Sequence, residues 1–427
     1  MEQKEFPDRL EIKPVGKVSA EVSAPPSKAY TLRALFLAAL AEGESRIRNG
    51  LFAEDQKYAA DALKAYGASI EREGNDYIIT GLNGKPKTPS KEIFIGNSGV
   101  TARFLPALAA LAPGNSVITG TERMCERPIK DLLDALAPLG VKSRCVNNDG
   151  CPPMEIGGGT FEGGETTLRG DKSSQYFSSI MISAPYAKSD VTVRTEGKLM
   201  SKPFIDVTID MMEKFGAKVE NNNYESFTIR AGKGYKGMDY ATEGDYTNAS
   251  YFLAAAAITR GKVKVTNLRK NSAQGDKFFV KCLEMMGCKV NWQDDYVELE
   301  GGALKGIEVN MADYPDVVPT LAVVAAFAEG TTRITDIGHL KIKECDRIVA
   351  PVTELKKMGI EAEALRGSMV IKGGKPHSAE IDTYNDHRMA MAFSVAGIKA
   401  GVTIKNPKCV SKSFPDFFEK FLGMVKR

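Results

Sequence analysis

The chain contains 427 residues, of which 43% are hydrophobic and 26% are charged. This is enough material for two or three globular domains, each with its own core. The 57 Lys and Arg residues nearly balance the 54 Asp and Glu residues, and a net charge of +3 gives no general reason to bind nucleic acid or an acidic membrane surface. Any cationic binding site must therefore be local.

The cysteines and the N-terminal segment exclude further classes of protein. The seven cysteines form no CxxC pair, and the chain has only three histidines. We therefore expect neither a structural zinc site nor a disulfide framework, and we predict no bound metal and no cofactor. The N-terminal segment has no pattern of a secretory or transit signal, and no apolar run reaches the roughly eighteen residues of a membrane span. These features predict a cytoplasmic protein.

One pattern recurs along the chain: an amphipathic helix that ends in glycine. Glycine suits the left-handed position just past a helix end, which explains its recurrence. The six glycines are Gly67, Gly140, Gly216, Gly287, Gly359 and Gly423. After each of the first five helices, β-forming residues alternate around a polar turn, as in residues 217–232, which predicts a β-hairpin.

A second helix, apolar on nearly all sides, precedes each of these and belongs in an interior. The six segments are residues 25–41, 96–112, 170–185, 244–259, 312–328 and 385–397. One module therefore consists of strand, helix, strand, helix and hairpin. Residues 10–22 resemble strands without a preceding helix, and we predict that they complete the sixth module. We expect two domains of three modules, one formed by residues 1–23 and 243–427 and holding both termini, the other formed by residues 24–242.

Positively charged side chains recur near the helix starts, where the helix dipole disfavours a cation by about 0.3–1 kcal/mol. They are Lys28, Arg33, Arg103, Arg127, Lys172, Lys343, Arg347, Arg388 and Lys412. Helix starts bind anions, and added Lys and Arg residues suit a ligand with more than one phosphate or carboxylate. Carboxylates are placed among these cations at Asp245, Asp316, Glu344, Asp346 and Asp386. Three of them, Asp245, Asp316 and Asp386, fit equally well as helix caps. The residues alone therefore predict a metal-independent enzyme for small polyanions.

Ten motifs extend this interpretation. They are SKAYTLRAL from residue 27, GNSGVTAR at 96–103, RMCERPI at 123–129, SSQY at 173–176, SKPFID at 201–206, EGDYTNASYFLAAAA at 243–257, YPD at 314–316, KECDR at 343–347, YNDHRMAM at 384–391 and KSFPDFFE at 412–419. Together they resemble the 5-enolpyruvylshikimate-3-phosphate synthase family of enolpyruvyl transferases, from about residue 12 to about residue 422. The resemblance implies an α/β (α+β) fold, a two-domain inside-out α/β barrel of six βαβαββ repeats, three per domain, with the active site in the cleft between the domains.

The resemblance also implies an activity. A member of this family transfers the enolpyruvyl group of phosphoenolpyruvate to the 5-hydroxyl of shikimate 3-phosphate and releases phosphate through a tetrahedral intermediate. This is a step of chorismate and aromatic amino acid biosynthesis. The expected partners are these two small molecules, without nucleic acid or membrane, and the expected assembly is a monomer.

Roles of individual residues follow from the same resemblance. The residues implied for phosphoenolpyruvate are Lys28, Gly99, Arg127, Gln175, Arg347, Arg388 and Lys412. Of these, Arg347 and Arg388 would hold the carboxylate and the others the phosphate. Those implied for shikimate 3-phosphate are Lys28, Ala29, Arg33, Ser173, Ser174, Gln175, Ser201, Asp316, His339 and Lys343. Asp316 is the implied base for the 5-hydroxyl, and Glu344, together with Lys28, is the implied acid that protonates the methylene carbon.

Four positions depart from the family pattern. They are Ala29 in place of Ser, Val100 in place of Thr, Phe204 in place of Tyr, and His339 in place of Asn. Ala29 removes one hydrogen bond to shikimate 3-phosphate. We expect Ala29 and Val100 to change the affinity for phosphoenolpyruvate and its inhibitory mimics.

Two alternatives remain from the sequence. The related transferase that acts on UDP-N-acetylglucosamine usually has a reactive cysteine five residues before the Arg-Pro pair, where this chain has Glu122. An RNA-binding or RNA-end-processing protein of similar repeats would show basic stripes with interleaved aromatic residues. The near-neutral charge and the single tryptophan, Trp292, do not support it.

Overall fold

The structure is a computed structural model that describes residues 6–425. Its described residues form two compact units, one made of residues 6–25 and 244–425 and the other of residues 26–243. We call them the terminal unit and the inserted unit. None of the described helices is long and apolar enough to cross a membrane.

The described chain begins with two strands of the terminal unit, β1 (Arg9–Ile12) and β2 (Ser19–Ser23). The inserted unit follows with three modules. The first contains α1 (Lys28–Leu40), β3 (Glu44–Arg48), α2 (Glu54–Ala65), β4 (Ser69–Glu73) and β5 (Asp76–Thr80). The second contains β6 (Ile93–Phe94), α3 (Gly99–Ala109), β7 (Ser116–Thr119), α4 (Lys130–Leu136), β8 (Ser143–Cys145) and β9 (Met154–Ile156). The third contains β10 (Gly164–Arg169), α5 (Ser174–Ser183), β11 (Val191–Glu196), α6 (Lys202–Lys214), β12 (Val219–Asn222) and β13 (Ser226–Ile229), and the unit ends with β14 (Asp239–Ala241).

The terminal unit continues the same order of elements. Its first module contains α7 (Tyr246–Thr259), β15 (Lys262–Thr266), α8 (Phe278–Met285), β16 (Lys289–Trp292) and β17 (Tyr296–Glu300). The next contains β18 (Glu308–Asn310), α9 (Val318–Ala325), β19 (Thr331–Thr335), α10 (Val349–Lys357), β20 (Glu361–Leu365) and β21 (Ser368–Lys372). The last contains β22 (Ala379–Ile381), α11 (His387–Ala400), β23 (Val402–Lys405) and α12 (Phe417–Val425).

Each module builds one small sheet. In the third module, β10 and β11 are parallel with Gly164 opposite Val191, and β13 pairs antiparallel with both β11 and β12. Within the described residues the strands form six separate sheets, five of four strands and one of three, and do not close into one continuous barrel. The prediction of repeated βαβ units in an α/β fold is confirmed.

Small side chains explain why the first helix of each module is interior. All fourteen residues of α7 are buried, including the run from Ala254 to Ala257. Alanine has high helix propensity and lets neighbouring helices approach closely. In the terminal unit, α7, α9 and α11 accordingly pack against one another, with the sheets around them. The prediction that these apolar helices form the interior is confirmed.

Five of the six helix-ending glycines have the left-handed backbone that the pattern predicts. Their φ angles are +102° at Gly67, +88° at Gly140, +100° at Gly216, +105° at Gly287 and +79° at Gly359. The prediction for Gly423 is wrong, because α12 continues through this residue to Val425. The helix continues because Met424 is buried and extends its apolar face.

The two N-terminal strands join different sheets. Strand β1 pairs antiparallel with β23 and so completes the sixth module, with Ile12 opposite Val402. Strand β2 pairs parallel with β15 in the fourth module, with Ser19 opposite Lys262. The prediction that both strands complete the sixth module is therefore wrong for β2. The parallel pairing of β14 with β3 is the equivalent arrangement in the inserted unit.

Candidate active site

Six charged residues of the terminal unit form one connected group, which we call the arginine–carboxylate cluster. Its members are Asp316, Glu344, Arg347, Asp386, Arg388 and Lys412. They come from helix starts and the segments before them. Asp386 caps α11, Arg388 lies in its first turn, and Asp316 lies in a short 3₁₀ helix before α9. The repeat therefore brings these side chains to the same ends of adjacent helices.

Arg347 is the centre of this cluster. Its guanidinium is buried and donates to three carboxylates. Nε and Nη2 donate to the two oxygens of Asp386 at 2.7 and 3.1 Å. Nη1 donates to Asp316 Oδ1 at 3.0 Å and Nη2 to Glu344 Oε2 at 2.9 Å. Planar arginine suits such two-point contacts, and these bonds fix its orientation.

Asp316 contacts a second arginine. Arg388 Nη2 donates to Asp316 Oδ2 at 2.7 Å, so each oxygen of this carboxylate accepts from a different guanidinium. Burial would raise the pKa of Asp316, but the charges of Arg388, Arg347 and Lys343 outweigh burial and lower that pKa to about 2. Asp316 is therefore ionised at neutral pH, which is the form that a proton acceptor needs.

Glu344 links the cluster to Lys412. Its Oε1 lies 3.2 Å from Lys412 Nζ, while its Oε2 accepts from Arg347. The neighbouring Lys343 interacts electrostatically with Asp316 and His339. Burial, with a smaller contribution from Lys343, lowers the pKa of His339 to about 3, so this imidazole is neutral at physiological pH. Lys343 and His339 therefore lie in the same charged neighbourhood as the cluster, whereas Asp245 and Asp346 accept from backbone N–H groups at the starts of α7 and α10.

In the inserted unit, Gly99 and Arg127 meet at the start of α3. A Cβ added to Gly99 would lie 2.8 Å from Arg127 Nη2, so glycine is what allows the guanidinium to cover the helix start. Arg127 Nη1 also donates to Asn97 Oδ1 at 3.2 Å. A guanidinium over a helix N-terminus is suited to an anion, because the side chain and the helix dipole attract the same charge.

Helix α1 carries three of the predicted residues. Lys28 Nζ lies 2.5 Å from Asp55 Oδ2, which comes from the start of α2. The guanidinium of Arg33 is buried and donates to Thr208 Oγ1 at 2.8 Å and to the carbonyl oxygens of Phe204 at 2.9 Å and Ala29 at 3.1 Å. Burial lowers the pKa of Arg33 to about 10. Arg33 thus joins α1 to α6, and its role in binding a ring carboxylate stays a prediction.

The hydroxyl-bearing residues occupy the starts of α5 and α6. Ser173 caps α5 and accepts a hydrogen bond from the Gln175 N–H at 3.3 Å, with Ser174 next in the chain. Tyr176 donates to the Pro128 carbonyl at 2.8 Å and so joins α5 to the segment that carries Arg127. Ser201 precedes α6 with a left-handed backbone, φ 59°, which is unusual for a residue other than glycine.

Three polar residues of these regions were not predicted as site residues. Asp55 follows Glu54 at a helix start, where acidic residues are common, so only its contact with Lys28 reveals it. Asp276 is buried and accepts a hydrogen bond from Thr247; burial and the charge of Asp316 raise its pKa to about 7. Cys345, inside the KECDR motif, donates from Sγ to Asp386 Oδ2 at 3.4 Å. Only Cys345 lies in one of the quoted motifs, and no signal in the sequence marks Asp55 or Asp276.

Comparison with known proteins identifies the class to which this geometry belongs. Residues 12–421 match the sequence model of the family described as EPSP synthase (3-phosphoshikimate 1-carboxyvinyltransferase). A protein of Shewanella amazonensis named 3-phosphoshikimate 1-carboxyvinyltransferase is 44% identical over 425 residues, covering 98% of this chain and 99% of that protein. A protein of the same name from Photobacterium profundum is 42% identical and covers 97% of this chain and 98% of its own length. A solved structure of EPSP synthase from Acinetobacter baumannii has a TM-score of 0.83 and 26% identity, with 98% of each chain covered.

The fold, the charged side chains at the helix starts and these comparisons together define an α/β transferase built from repeated βαβ units. The chain belongs to the EPSP synthase family. The resemblance found in its motifs is confirmed, and with it the class of 3-phosphoshikimate 1-carboxyvinyltransferases of the shikimate pathway. Neither the UDP-N-acetylglucosamine enzyme nor an RNA-binding protein is favoured by these comparisons.

Proposed function

We propose that this chain transfers the enolpyruvyl group of phosphoenolpyruvate to the 5-hydroxyl of shikimate 3-phosphate. The observation that carries the proposal is the pairing of Asp316 with both Arg347 and Arg388. The proposed proton acceptor and the two groups proposed to bind a carboxylate are therefore in direct contact. An addition to phosphoenolpyruvate requires these two functions side by side.

The arginines bind the carboxylate of phosphoenolpyruvate in this proposal. A substrate carboxylate that reaches Arg347 and Arg388 competes with Asp316 for the same N–H groups. Since these two cations help to hold the pKa of Asp316 at about 2, neutralising them raises that pKa and makes Asp316 a stronger base. Substrate binding and activation of the base are then one event.

The chemical step follows from these positions. Asp316 takes the proton of the 5-hydroxyl, whose oxygen bonds to C2 of phosphoenolpyruvate. Glu344, sharing this role with Lys28, gives a proton to the methylene carbon, which makes C2 electrophilic. Glu344, which gave up its proton in the addition, then takes one back from the new methyl group of the tetrahedral intermediate, and phosphate leaves as the bond between C2 and the phosphate oxygen breaks. Asp316 releases its proton to solvent. Arg347 and Lys412 pair with Glu344 in the structure. In this proposal they turn to the anionic groups of phosphoenolpyruvate, and Glu344 then takes up the proton that it donates.

The phosphate groups are assigned to helix starts. Lys28, Gly99, Arg127, Gln175 and Lys412 are proposed for the phosphate of phosphoenolpyruvate. The contact of Arg127 with Gly99 at the start of α3 supports this assignment. Ser173, Ser174 and Ser201, which lie at the starts of α5 and α6, are proposed for the phosphate of shikimate 3-phosphate. Backbone N–H groups at these starts add to the attraction.

The ring of shikimate 3-phosphate receives the remaining predicted residues. Arg33 is proposed for its carboxylate, while Lys343, Asp316 and His339 are proposed for its hydroxyl groups. His339 contributes as a neutral imidazole with one donor and one acceptor. We further propose that the two small molecules are the only partners of a cytoplasmic monomer. The cleft between the two domains as the meeting place of both reactants stays a prediction.

The test is phosphate release from phosphoenolpyruvate by the purified chain. We expect release with shikimate 3-phosphate as acceptor and background release with UDP-N-acetylglucosamine. Product analysis should show one enol ether formed for each phosphate. Release with UDP-N-acetylglucosamine alone, or none with either acceptor, would overturn the proposal.

A further inference from the structure

A strained turn immediately precedes the helix that carries Asp386 and Arg388. Tyr384 and Asn385 both have a left-handed backbone with φ 53°. This conformation brings Cβ close to the following carbonyl oxygen, so two consecutive residues other than glycine need support from their surroundings. The Asp386 N–H donates to the Thr383 carbonyl at 2.8 Å and closes the turn.

The support comes from α10. Glu354 is completely buried. Its Oε1 accepts from the Tyr384 hydroxyl at 2.6 Å, and its Oε2 accepts from the Asp382 N–H at 3.0 Å. Lys357 Nζ lies 2.8 Å from Oε2 and compensates the buried charge. We call the contact of Glu354 with Tyr384 the clamp.

The clamp joins the same two segments as the contact of Arg347 with Asp386. Arg347 lies just before α10, which contains Glu354, and Asp386 lies two residues after Tyr384. Asp386 also accepts a hydrogen bond from the Arg388 N–H at 2.9 Å. The position of the turn therefore decides where Asp386 meets Arg347 and how α11 presents Arg388.

We propose that Glu354 and Tyr384 are positioning residues that hold Asp386 in place and so orient Arg347 and Arg388 toward a substrate carboxylate. This inference rests on the proposed function. The clamp touches no substrate itself and acts only through Asp386. Its main effect is on the carboxylate end of phosphoenolpyruvate, with a smaller effect on Asp316, which accepts from both arginines.

The test is Tyr384→Phe, which removes one hydroxyl from a side chain that is 41% exposed. We expect KM for phosphoenolpyruvate to rise about tenfold, the scale of one hydrogen bond to a charged group. KM for shikimate 3-phosphate should change by less than about twofold, because its phosphate and its ring carboxylate are assigned to residues of the inserted unit. The fall in kcat should be smaller than the rise in KM for phosphoenolpyruvate, because the clamp reaches Asp316 only through the two arginines. A KM for phosphoenolpyruvate equal to that of the unaltered chain would overturn the proposal.

Glu354→Gln tests the other half of the clamp. Its amide oxygen can still accept from the Tyr384 hydroxyl, but its NH2 group then faces the Asp382 N–H and Lys357 Nζ, two donors, in a buried position. We therefore expect a rise in KM at least as large as with Tyr384→Phe. The double variant should be no worse than the more impaired of the two single variants, because both changes weaken the support of the same turn. Effects that multiply in the double variant would show two independent structural roles and contradict the clamp.

Tyr224→Phe is a matched control. Tyr224 also has a left-handed backbone, φ 63°, and its hydroxyl donates to a helix carboxylate, Asp206 Oδ1, at 2.8 Å. It lies outside the clamp, in the inserted unit. We expect it to leave KM for phosphoenolpyruvate unchanged. An equal rise in both variants would reduce the effect to a general loss of tyrosine contacts and overturn the proposal.

Hydrogen exchange separates this inference from the proposed function. In Tyr384→Phe, the amides of residues 386–390 should exchange faster than in the unaltered chain and in Tyr224→Phe. This readout does not depend on turnover. If the unaltered chain transferred no enolpyruvyl group, the proposed function would fail while exchange still tested the clamp. Unchanged exchange in this segment would overturn the clamp whatever the activity.

Discussion

Asp316 is held by two arginines and is also the proposed base for the 5-hydroxyl. Both of its oxygens accept from arginines, and these contacts help to lower its pKa to about 2. Such a group is a weak base until its cations are engaged elsewhere. We therefore regard Arg347 and Arg388 as the control on Asp316, as well as the binding site for a carboxylate.

Replacing Asp316 with Asn tests its role as the base. Asn keeps the size and one acceptor oxygen but takes up no proton at neutral pH. We expect kcat to fall by about 10²–10⁴-fold, the usual contribution of a general base, while phosphoenolpyruvate still binds. Asp313→Asn makes the same change of charge three residues away and should keep normal turnover. Unchanged kcat in Asp316→Asn would remove this residue from the chemical step.

Asp276 gives a pH-dependent expectation. Its pKa is raised to about 7 in the folded chain by burial and by Asp316. An unfolded aspartate ionises near pH 4, so between about pH 4 and pH 7 the folded state binds more protons. The free energy of unfolding that Asp276 contributes therefore decreases as pH rises through this range. Asp276→Asn should gain stability relative to the unaltered chain from about pH 5 to about pH 8.

Denaturant unfolding at these two pH values measures this gain. Asp294→Asn is the control, because Asp294 is exposed on the turn between β16 and β17. It should show no comparable gain with pH. A stability difference between Asp276→Asn and the unaltered chain that stays constant with pH would contradict the account of this carboxyl.

The sequence predicts the charged residues of the site better than it predicts their partners. The helix dipole disfavours cations at helix starts, so a cation there stands out in the sequence. This is why Arg388 could be predicted to bind an anion. The contact of Arg347 with Asp386 spans 39 residues and depends on how two modules pack. Asp55 and Asp276 obey local rules at their helix starts, so no signal in the sequence separates them from ordinary caps.

At the scale of the element, substitutions at the helix-ending glycines test whether each glycine has the left-handed backbone that the repeat predicts. Gly216 has φ +100°, and a Cβ added there meets nothing within 4 Å. Gly216→Ala therefore isolates the backbone cost, and we expect it to lower the free energy of unfolding by about 1 kcal/mol. Thermal or urea unfolding measures this change.

Gly423 differs from Gly216 because it lies inside a helix. An added Cβ there also meets nothing within 4 Å, and the residue lies within α12 rather than after it. We expect Gly423→Ala to raise the free energy of unfolding by about 0.5–1 kcal/mol, because alanine loses less conformational freedom in a helix. Destabilisation by this change, equal to that of Gly216→Ala, would mean that α12 ends at Gly423 after all.

The sequence predicts the order of helices and hairpins, which local residue patterns determine. It predicts less well which strands pair, because that depends on residues far apart in the chain. Helix periodicity, terminal glycine and hairpin alternation identify the modules, and the structure has them in order. Alternation in residues 10–22 predicts strands but does not choose their sheets. Strand β1 pairs with β23 and strand β2 with β15. The path of the backbone between β1 and β2 determines that they join different sheets.

At the scale of the whole molecule, the residues proposed to bind phosphoenolpyruvate occur in both units. The inserted unit supplies Arg127 at the start of α3, and the terminal unit supplies Arg388 at the start of α11. We expect Arg127→Ala and Arg388→Ala each to lower kcat/KM for phosphoenolpyruvate by roughly 10²–10³-fold, the scale of losing one charged contact in an active site. Steady-state kinetics with saturating shikimate 3-phosphate measures both losses.

Mixing these two variants tests whether a single chain supplies the complete active site. Each variant chain keeps one normal half of the proposed site. If a monomer does the work, a mixture of Arg127→Ala and Arg388→Ala should be no more active than the separate chains. Recovery of activity on mixing would show a site shared between chains and contradict the proposed monomer.

The central claim is that the oxygen of the acceptor attacks C2 of phosphoenolpyruvate and that phosphate leaves from the same carbon. The most direct test places an isotopically labelled oxygen in the 5-hydroxyl of shikimate 3-phosphate and follows it by mass spectrometry. We expect the label in the enol ether of the product and none in the released phosphate. Label in the released phosphate would mean that the bond between C5 and its oxygen breaks, and a labelled phosphate ester of the acceptor would mean attack at phosphorus. Either result would contradict this claim.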